Sequence, residues 1–415
     1  MALRIVASSP SPTLFRLPWS TPLAGWDDRF VVPLPRGISR HVVRIVRLGT
    51  DPAEVYAVKE TPERIAFREY RMLRDLQRLG LPTVEPVGVV TGRQRPDGTA
   101  MDSALVTRHL RYSLPYRSLF SRGMPSESLP LLIDALAVLL VRLHLTGFFW
   151  GDVSLSNVLF RRSAGGFAAY LVDAETGELH DQISDGMRNH DLEIAYTNLF
   201  GELLDLQAGG LLTSGVDAHA VVDDVSTRYA ALWAELTGTE EFTTDEMWRI
   251  EQRIERLNDL GFDVDELDIV TDWDGATVRM QPKVVEAGHH ARELHRLTGL
   301  EVEDNQARRL LNDLAAFTAH FDLGAQDRGI VARRWLRDVY EPITAMVPAE
   351  LRGRLEPAEM FHELLVHRWY LSERAGHEVD IRDAARSYID TVLAARPEEE
   401  LTSDDDPDVL MGPAG

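Results

Sequence analysis

The chain has 415 residues, 66 acidic and 44 basic side chains, a formal net charge of -22 and no cysteine. This length points to two or three domains, and 44% hydrophobic with 27% charged residues excludes wholesale disorder. The absence of cysteine excludes disulfides, thiolate metal sites, iron–sulfur clusters and cysteine nucleophiles; the acidic balance argues against nucleic acid as a partner.

Taken in chain order, residues 1–30 read as an N-terminal extension. Pro10, Pro12, Pro18 and Pro22 break any apolar signal-peptide core. Residues 31–60 alternate as two strands joined at Gly49-Thr50-Asp51-Pro52. Glu63–Leu79 has helical spacing and ends before Gly80 and Pro82. Val84–Thr91 and Ala104–Thr107 are short strands. Leu129–Trp150 is the longest apolar stretch, but Asp134, Arg142 and His144 interrupt it. It reads as a buried helix, Leu129–Leu145, and no transmembrane segment is expected. A cytoplasmic location is the expectation.

A hairpin turning through residues 161–166 follows, and its return strand, Phe167–Val172, delivers Asp173. Helices take over from about Asp191. Further on, Ser226–Leu260 reads as helical and Leu267–Val285 as a hairpin around Asp274-Gly275. His290–Phe317, Arg333–Met346, Pro357–Ala375 and Ile381–Ala395 read as helices. The tail from Pro397 is acidic and reads as disordered.

Charge is divided unevenly. Residues 1–210 hold 23 basic and 23 acidic side chains, whereas residues 211–415 hold 21 and 43. The expected domains are therefore 31–210, then 211–396, then the tail 397–415. Only Lys59 and Lys283 are lysines; every other basic residue is arginine.

Four features in the first domain occur in a meaningful order. Lys59 ends a strand, Glu69 lies on the next helix, Asp152 and Asn157 share the segment Trp150–Asn157, and Asp173 ends a later strand. A kinase-fold phosphotransferase needs its parts in this order. An ammonium must meet the phosphates of ATP, and Lys59 held by Glu69 supplies it. Mg²⁺ needs hard oxygen ligands, which Asp173 and Asn157 offer. The acceptor hydroxyl needs a proton acceptor, and Asp152 fits that role. Gly37 and Ser39, in Arg-Gly-Ile-Ser-Arg, stand where a phosphate-covering loop would lie, although no complete glycine-rich motif is present.

Residues 35–205 resemble the lipopolysaccharide-kinase (Kdo/WaaP-type) branch of the protein-kinase-like superfamily. The resemblance rests on REYRMLRDLQRLGLPTVEPVGVV and on WGDVSLSNVLF, where Trp150 replaces the usual histidine. The whole chain is also similar to bacterial kinase-like proteins with an uncharacterised C-terminal domain. The resemblance implies that Lys59 binds phosphates and pairs with Glu69, that Asp152 is the base, and that Asn157 and Asp173 bind metal. It implies an α+β, protein-kinase-like bilobal fold, with a small antiparallel sheet lobe plus a helical lobe. A mainly α-helical domain with a β-hairpin would follow.

Departures from the family pattern qualify this. Asp173-Ala174-Glu175 lacks the switch phenylalanine, and Glu175 reads either as a second acidic metal contact or as an ordinary surface residue. Trp150 would brace its loop by packing. Arg108-His109-Leu110 follows the strand expected to contact adenine. Asp191 reads either as an acceptor for the catalytic-loop backbone or as an acid favoured near a helix N-terminus. Elsewhere His362-Glu363-…-His367 has one residue too many for a helical zinc motif, and His289, His290 and His295 share no helix face.

The leading function is an ATP- and Mg²⁺-dependent phosphotransferase acting on a hydroxyl. The short segment from Asp173 to Asp191 has no peptide-docking element and favours a small-molecule, sugar or lipid acceptor. The alternative is a weak or inactive kinase-like nucleotide-binding module whose C-terminal half engages a protein partner.

Overall fold

In the computed structural model the described residues are 2–8, 11–27, 30–32, 41–49, 54–121, 124–212, 215–271 and 277–397. The expected phosphate-covering residues Gly37 and Ser39, the turn residues Thr50 to Pro52, the Asp274-Gly275 turn and the acidic tail from Glu398 lie outside them. The chain divides into two compact units. The first holds residues up to Arg161 together with Ala169–Thr227; the second holds Arg162–Ala168 and Arg228–Glu400.

The first unit opens with an antiparallel sheet. Its strands are β1 (Arg4–Ala7), β2 (Val42–Leu48), β3 (Glu54–Thr61), β4 (Pro86–Thr91) and β5 (Ser103–Arg108). Their spatial order is β1-β4-β5-β3-β2. Side chains alternate between faces along a strand, so Tyr56 and Val58 of β3 share one face while Ala57 and Lys59 share the other. The first face packs on Leu14, Leu17, Trp19, Leu23 and Trp26, which join Val46, Val87, Val90, Ala104 and Val106 in one core. The first 30 residues thus supply an edge strand and a large share of that core. Helix α1 (Glu63–Arg78) lies between β3 and β4 in the chain and packs on β4 and β5.

A helical portion follows, made of β6 (Ser113–Pro115), α2 (Tyr116–Ser121), α3 (Leu129–Leu145), β7 (Phe148–Phe149), β8 (Val158–Ser163), β9 (Gly166–Leu171), β10 (Glu178–Leu179) and α4 (Asp185–Ala208). Helix α3 is apolar almost all round and is buried accordingly. The strands order as β6-β8-β9, while β7 pairs with β10.

The second unit is mainly helical. It contains the second half of α5 (Ala218–Thr237), then β11 (Glu240–Thr243), α6 (Trp248–Asp259), β12 (Phe262–Thr271), β13 (Thr277–Ala287), α7 (His289–Thr298), α8 (Asp304–His320), α9 (Arg328–Trp335), α10 (Glu341–Thr344), α11 (Pro357–Ala375) and α12 (Ile381–Thr391). Its core gathers Trp335, Tyr340, Phe361, Leu310 and Tyr388. The β8–β9 tip belongs here: Gln306 Nε2 donates to Arg162 O at 3.1 Å, and Ala164 N donates to Glu359 at 2.7 Å.

The fold is α+β as expected, with a sheet lobe, a helical lobe and a mainly helical domain carrying a hairpin. Several elements differ from the sequence reading. The 226–260 stretch is two helices separated by β11, which pairs with β13. The 290–317 stretch is also two helices, because Gly299 takes a left-handed conformation (φ 79°) and ends α7. Between α9 and α10 the helix widens into a π turn at Leu336–Tyr340, just before Pro342. Pro342 has no N–H for a regular i→i−4 bond. No helix among the described residues is long and apolar enough to cross a membrane.

Candidate active site

Two periodicities bring the first cluster together. The alternation of β3 turns Lys59 away from the tryptophan-rich face. The buried stripe of α1 runs Ala66, Glu69, Tyr70, Leu73, Leu76, a helical spacing that places a carboxylate among apolar neighbours. Lys59 Nζ donates to Glu69 Oε2 at 3.1 Å, to Asp173 Oδ2 at 2.8 Å and to Glu175 Oε2 at 3.0 Å. Glu69 is 1% exposed and Lys59 9%. His41 Nε2 lies 3.2 Å from Glu175, whose own N–H donates to Asp173 Oδ1 at 3.1 Å. Glu175 is therefore part of the cluster, not an ordinary surface residue.

The charges do not balance: three carboxylates surround one ammonium. Burial opposes the charge on Lys59, but Glu69, Asp173 and Glu175 outweigh it and hold its pKa above the ordinary lysine value. Burial, together with the negative charge of Asp173, pushes the Glu69 carboxyl up to about 8 even though Lys59 pulls the other way. The carboxylate oxygens of Glu69, Asp173 and Glu175 lie within 4.8 Å of one another. Hard oxygen donors with surplus negative charge are what a divalent cation such as Mg²⁺ requires, so the residues fit one. Among the described residues no other three histidine or acidic groups converge in this way.

The second cluster is the loop from Trp150 to Asn157. Gly151 sits at φ 75°, a conformation natural to glycine, and the chain turns sharply there. Asp191, on α4 and fully buried, accepts from Trp150 N at 2.8 Å and Gly151 N at 2.7 Å, with His144 Nε2 at 3.1 Å. It serves the loop backbone; it lies beyond the first turn of α4 and is no helix-terminal acid. Trp150 braces by more than bulk, since its Nε1 donates to Asp173 O at 3.1 Å.

Asn157 Nδ2 donates to Asp152 O at 3.0 Å and to Asp152 Oδ2 at 3.1 Å, which leaves the amide oxygen as its remaining polar atom. Val172 N donates to Asn157 O at 3.0 Å. The Trp150 and Val172 bonds tie the Asp152–Asn157 loop to the segment carrying Asp173. Of the expected residues, Lys59, Glu69 and Asp173 meet directly, and Asp152 pairs with Asn157.

Sequence reading missed Glu202. It accepts from Leu155 N at 2.8 Å, Ser156 N at 2.9 Å and Ser156 Oγ at 2.5 Å. Asn198 Nδ2 donates to Val153 O at 3.0 Å. Asp191, Asn198 and Glu202 fall at i, i+7 and i+11 on α4, so helical spacing from Asp191 would have found both. At the end of β5, Arg108 N donates to Glu85 O, and just beyond it His109 N donates to Val55 O; burial pushes the His109 imidazole down to about 4.

The histidines of the second unit form no metal group among the described residues. His367 Nε2 meets Ser387 Oγ at 3.0 Å, Glu363 is taken by Tyr388 and Arg396, and His290 pairs with Asp304 at 2.8 Å.

Residues 53–203 match the lipopolysaccharide kinase (Kdo/WaaP) family, and residues 231–393 match a domain of unknown function, DUF4032. A solved structure described as "WaaP in complex with acyl carrier protein" is similar at 20% identity, over 55% of this chain and 96% of its own, with a TM-score of 0.32. No curated protein matches the chain.

Proposed function

We propose that the first unit is an ATP- and Mg²⁺-dependent phosphotransferase that phosphorylates a hydroxyl of a small-molecule, sugar or lipid acceptor. The observation that carries this reading is the buried Lys59–Glu69 pair facing Asp173 and Glu175, beside a loop that holds Asp152 against Asn157.

Each residue has a task suited to its surroundings. Lys59, fixed by Glu69, meets the phosphates of ATP as a positioned charge. Asp173, Glu175 and the Asn157 amide oxygen would hold Mg²⁺. When bound, the ion supplies neutralisation of charge on the transferring phosphoryl group. Asp152 orients the acceptor hydroxyl and takes its proton. Asn157 holds the Asp152 carboxylate in place, and Asp191 and Glu202 fix the backbone between them. Leu179 and His180, which follow Asp173, are tied to Phe148 and Gly147. That compact return of the chain supports a small acceptor over a peptide.

The test is turnover of ATP by the purified full chain with Mg²⁺ across a panel of hydroxyl acceptors. Asp152→Asn should lower kcat by about 10²-fold or more. Lys59→Met should lose the rise in melting temperature produced by Mg-ATP. Full turnover in Asp152→Asn would refute the assignment. A Mg-ATP shift that depends on Lys59 but comes without any acceptor-dependent turnover would instead assign the chain to the nucleotide-binding alternative.

A further inference from the structure

We propose that the cleft between α8 and α11 in the second unit binds a small organic monoanion with an apolar body. None of its residues takes part in the proposed phosphotransfer.

Helical spacing builds both walls. Arg309, Asn312 and Asp313 line it from α8 at i, i+3 and i+4. His362, Leu365, Val366 and Trp369 line it from α11 at i, i+3, i+4 and i+7. The cleft is open to solvent and has a volume of about 390 Å³, within the range of small-molecule sites.

His362 is the decisive residue. It is 8% exposed, faces the cleft and forms no hydrogen bond with any described residue. Its ring nitrogens are not sealed in the core but open onto the cleft, so an acceptor entering there can reach them. Burial, with the nearby charge of Arg309, pushes its pKa below the ordinary histidine value, so it is neutral at pH 7 and offers one N–H. Arg309 is exposed and in no ion pair with any described residue, so a guanidinium and an N–H donor serve the same opening. That pair suits a carboxylate or similar anion.

The rest of the lining describes the ligand's other end. Trp369 is 58% exposed and Val366 42%, unusual for large apolar side chains beside a cavity. Together with Leu365 they offer an apolar bed. Asp313 is turned to the core, where it accepts from Trp335 Nε1 at 2.8 Å. Its carboxyl would still disfavour a dianionic phosphate. A neutral apolar ligand would leave His362 unpaired.

The experiment is isothermal titration of the full chain with 4-phenylbutyrate and, in parallel, with its uncharged amide. Saturable one-to-one binding of the carboxylate is expected, with the amide about tenfold or more weaker, as loss of a charge-assisted hydrogen bond implies. Arg309→Ala and His362→Leu should bring the carboxylate down to the level of the amide, whereas Trp369→Ala should weaken both. Arg386→Ala on α12 should bind as the parent does, and circular dichroism confirms that each variant is folded. The proposal is overturned by equal affinity for carboxylate and amide, by an Arg309→Ala variant that binds normally, or by no saturable binding of the carboxylate. It is overturned too if an acidic helical peptide binds through Arg309 where phenylbutyrate does not, which would make the cleft a protein-docking site.

Discussion

Replacing Asp191 tests how the catalytic loop is held, without reference to any substrate. Its carboxylate is fully buried and receives three donors: Trp150 N, Gly151 N and His144 Nε2. Asp191→Ala leaves all three in a water-poor interior. At about 1–3 kcal/mol for each unsatisfied group, the loss is roughly 3–6 kcal/mol, allowing for partial relaxation. Asp191→Asn keeps the shape but turns an NH₂ toward one of the donors, so about 2 kcal/mol is expected. Hydrogen exchange of the peptide spanning Phe148–Asn157 reads this locally. Since about 1.4 kcal/mol is tenfold, the Trp150 and Gly151 amides should exchange roughly thirtyfold faster in the Asn variant and faster still in the Ala variant. Unchanged exchange at those two amides in Asp191→Ala would refute the claim that this carboxylate pins the loop.

Three further outcomes follow from the same geometry. Lys59→Met removes the only ammonium among three acidic groups; denaturant unfolding should show its deficit in stability growing as pH rises through about 8, where Glu69 gives up its proton and is left without its counter-charge. A deficit independent of pH would contradict the charge balance described. Glu69, at about 8 in the folded chain and near 4.5 otherwise, keeps its proton over a window where the unfolded chain has lost it. Its contribution is therefore full below about 4.5 and lost as pH rises to about 8, so the stability of the parent relative to Glu69→Gln should fall across that window; a flat difference counts against it. Trp150→Phe removes the Nε1 bond to Asp173 O at a cost of about 1 kcal/mol and should lower kcat while leaving the KM for ATP unchanged; an altered KM alone would place Trp150 in nucleotide binding instead.

Much of this was legible in the sequence because local pattern and global fold agree. Helix α3 is apolar along most of its length and closed by Gly147, and α11 begins at a proline and ends at Gly376, so both are bounded correctly. Order and spacing were enough to bring Lys59, Glu69 and Asp173 to attention. What escaped needs three dimensions. The four residues of β1 carry too short an alternation to announce an edge strand; their partner, β4, is remote in sequence, and Gly88 makes room for the close approach. Strand β11 hides in a helical stretch because its reason for being extended is β13. The size of Trp150 suggested packing, but no pattern shows where an indole N–H points. For Glu175 the sequence leaves a metal contact and a surface acid both open, because its tie to Lys59 spans 116 residues.

The site's own charge also changes what the chain's overall charge means. The first 170 residues hold 22 basic and 14 acidic side chains, a surplus that would suit an anionic substrate. Among the described residues, Lys59 is the one member of that surplus paired with Asp173 or Glu175. Arg64, Arg68, Arg71 and Arg78 lie exposed on α1, whose opposite face carries Glu69. Around Lys59 the balance is reversed, with three carboxylates to one ammonium. Like charges at such separations repel by about 1 kcal/mol or more even at water-like screening, and by more in a partly buried site. On the proposed reading, ATP phosphates can settle against Lys59 only once a divalent cation has offset Asp173 and Glu175. Binding of ATP measured by titration should therefore be lost in EDTA and restored by Mg²⁺, and Glu175→Gln should weaken that dependence. Equal affinity with and without the cation would mean that the phosphates meet the α1 arginines and not Lys59.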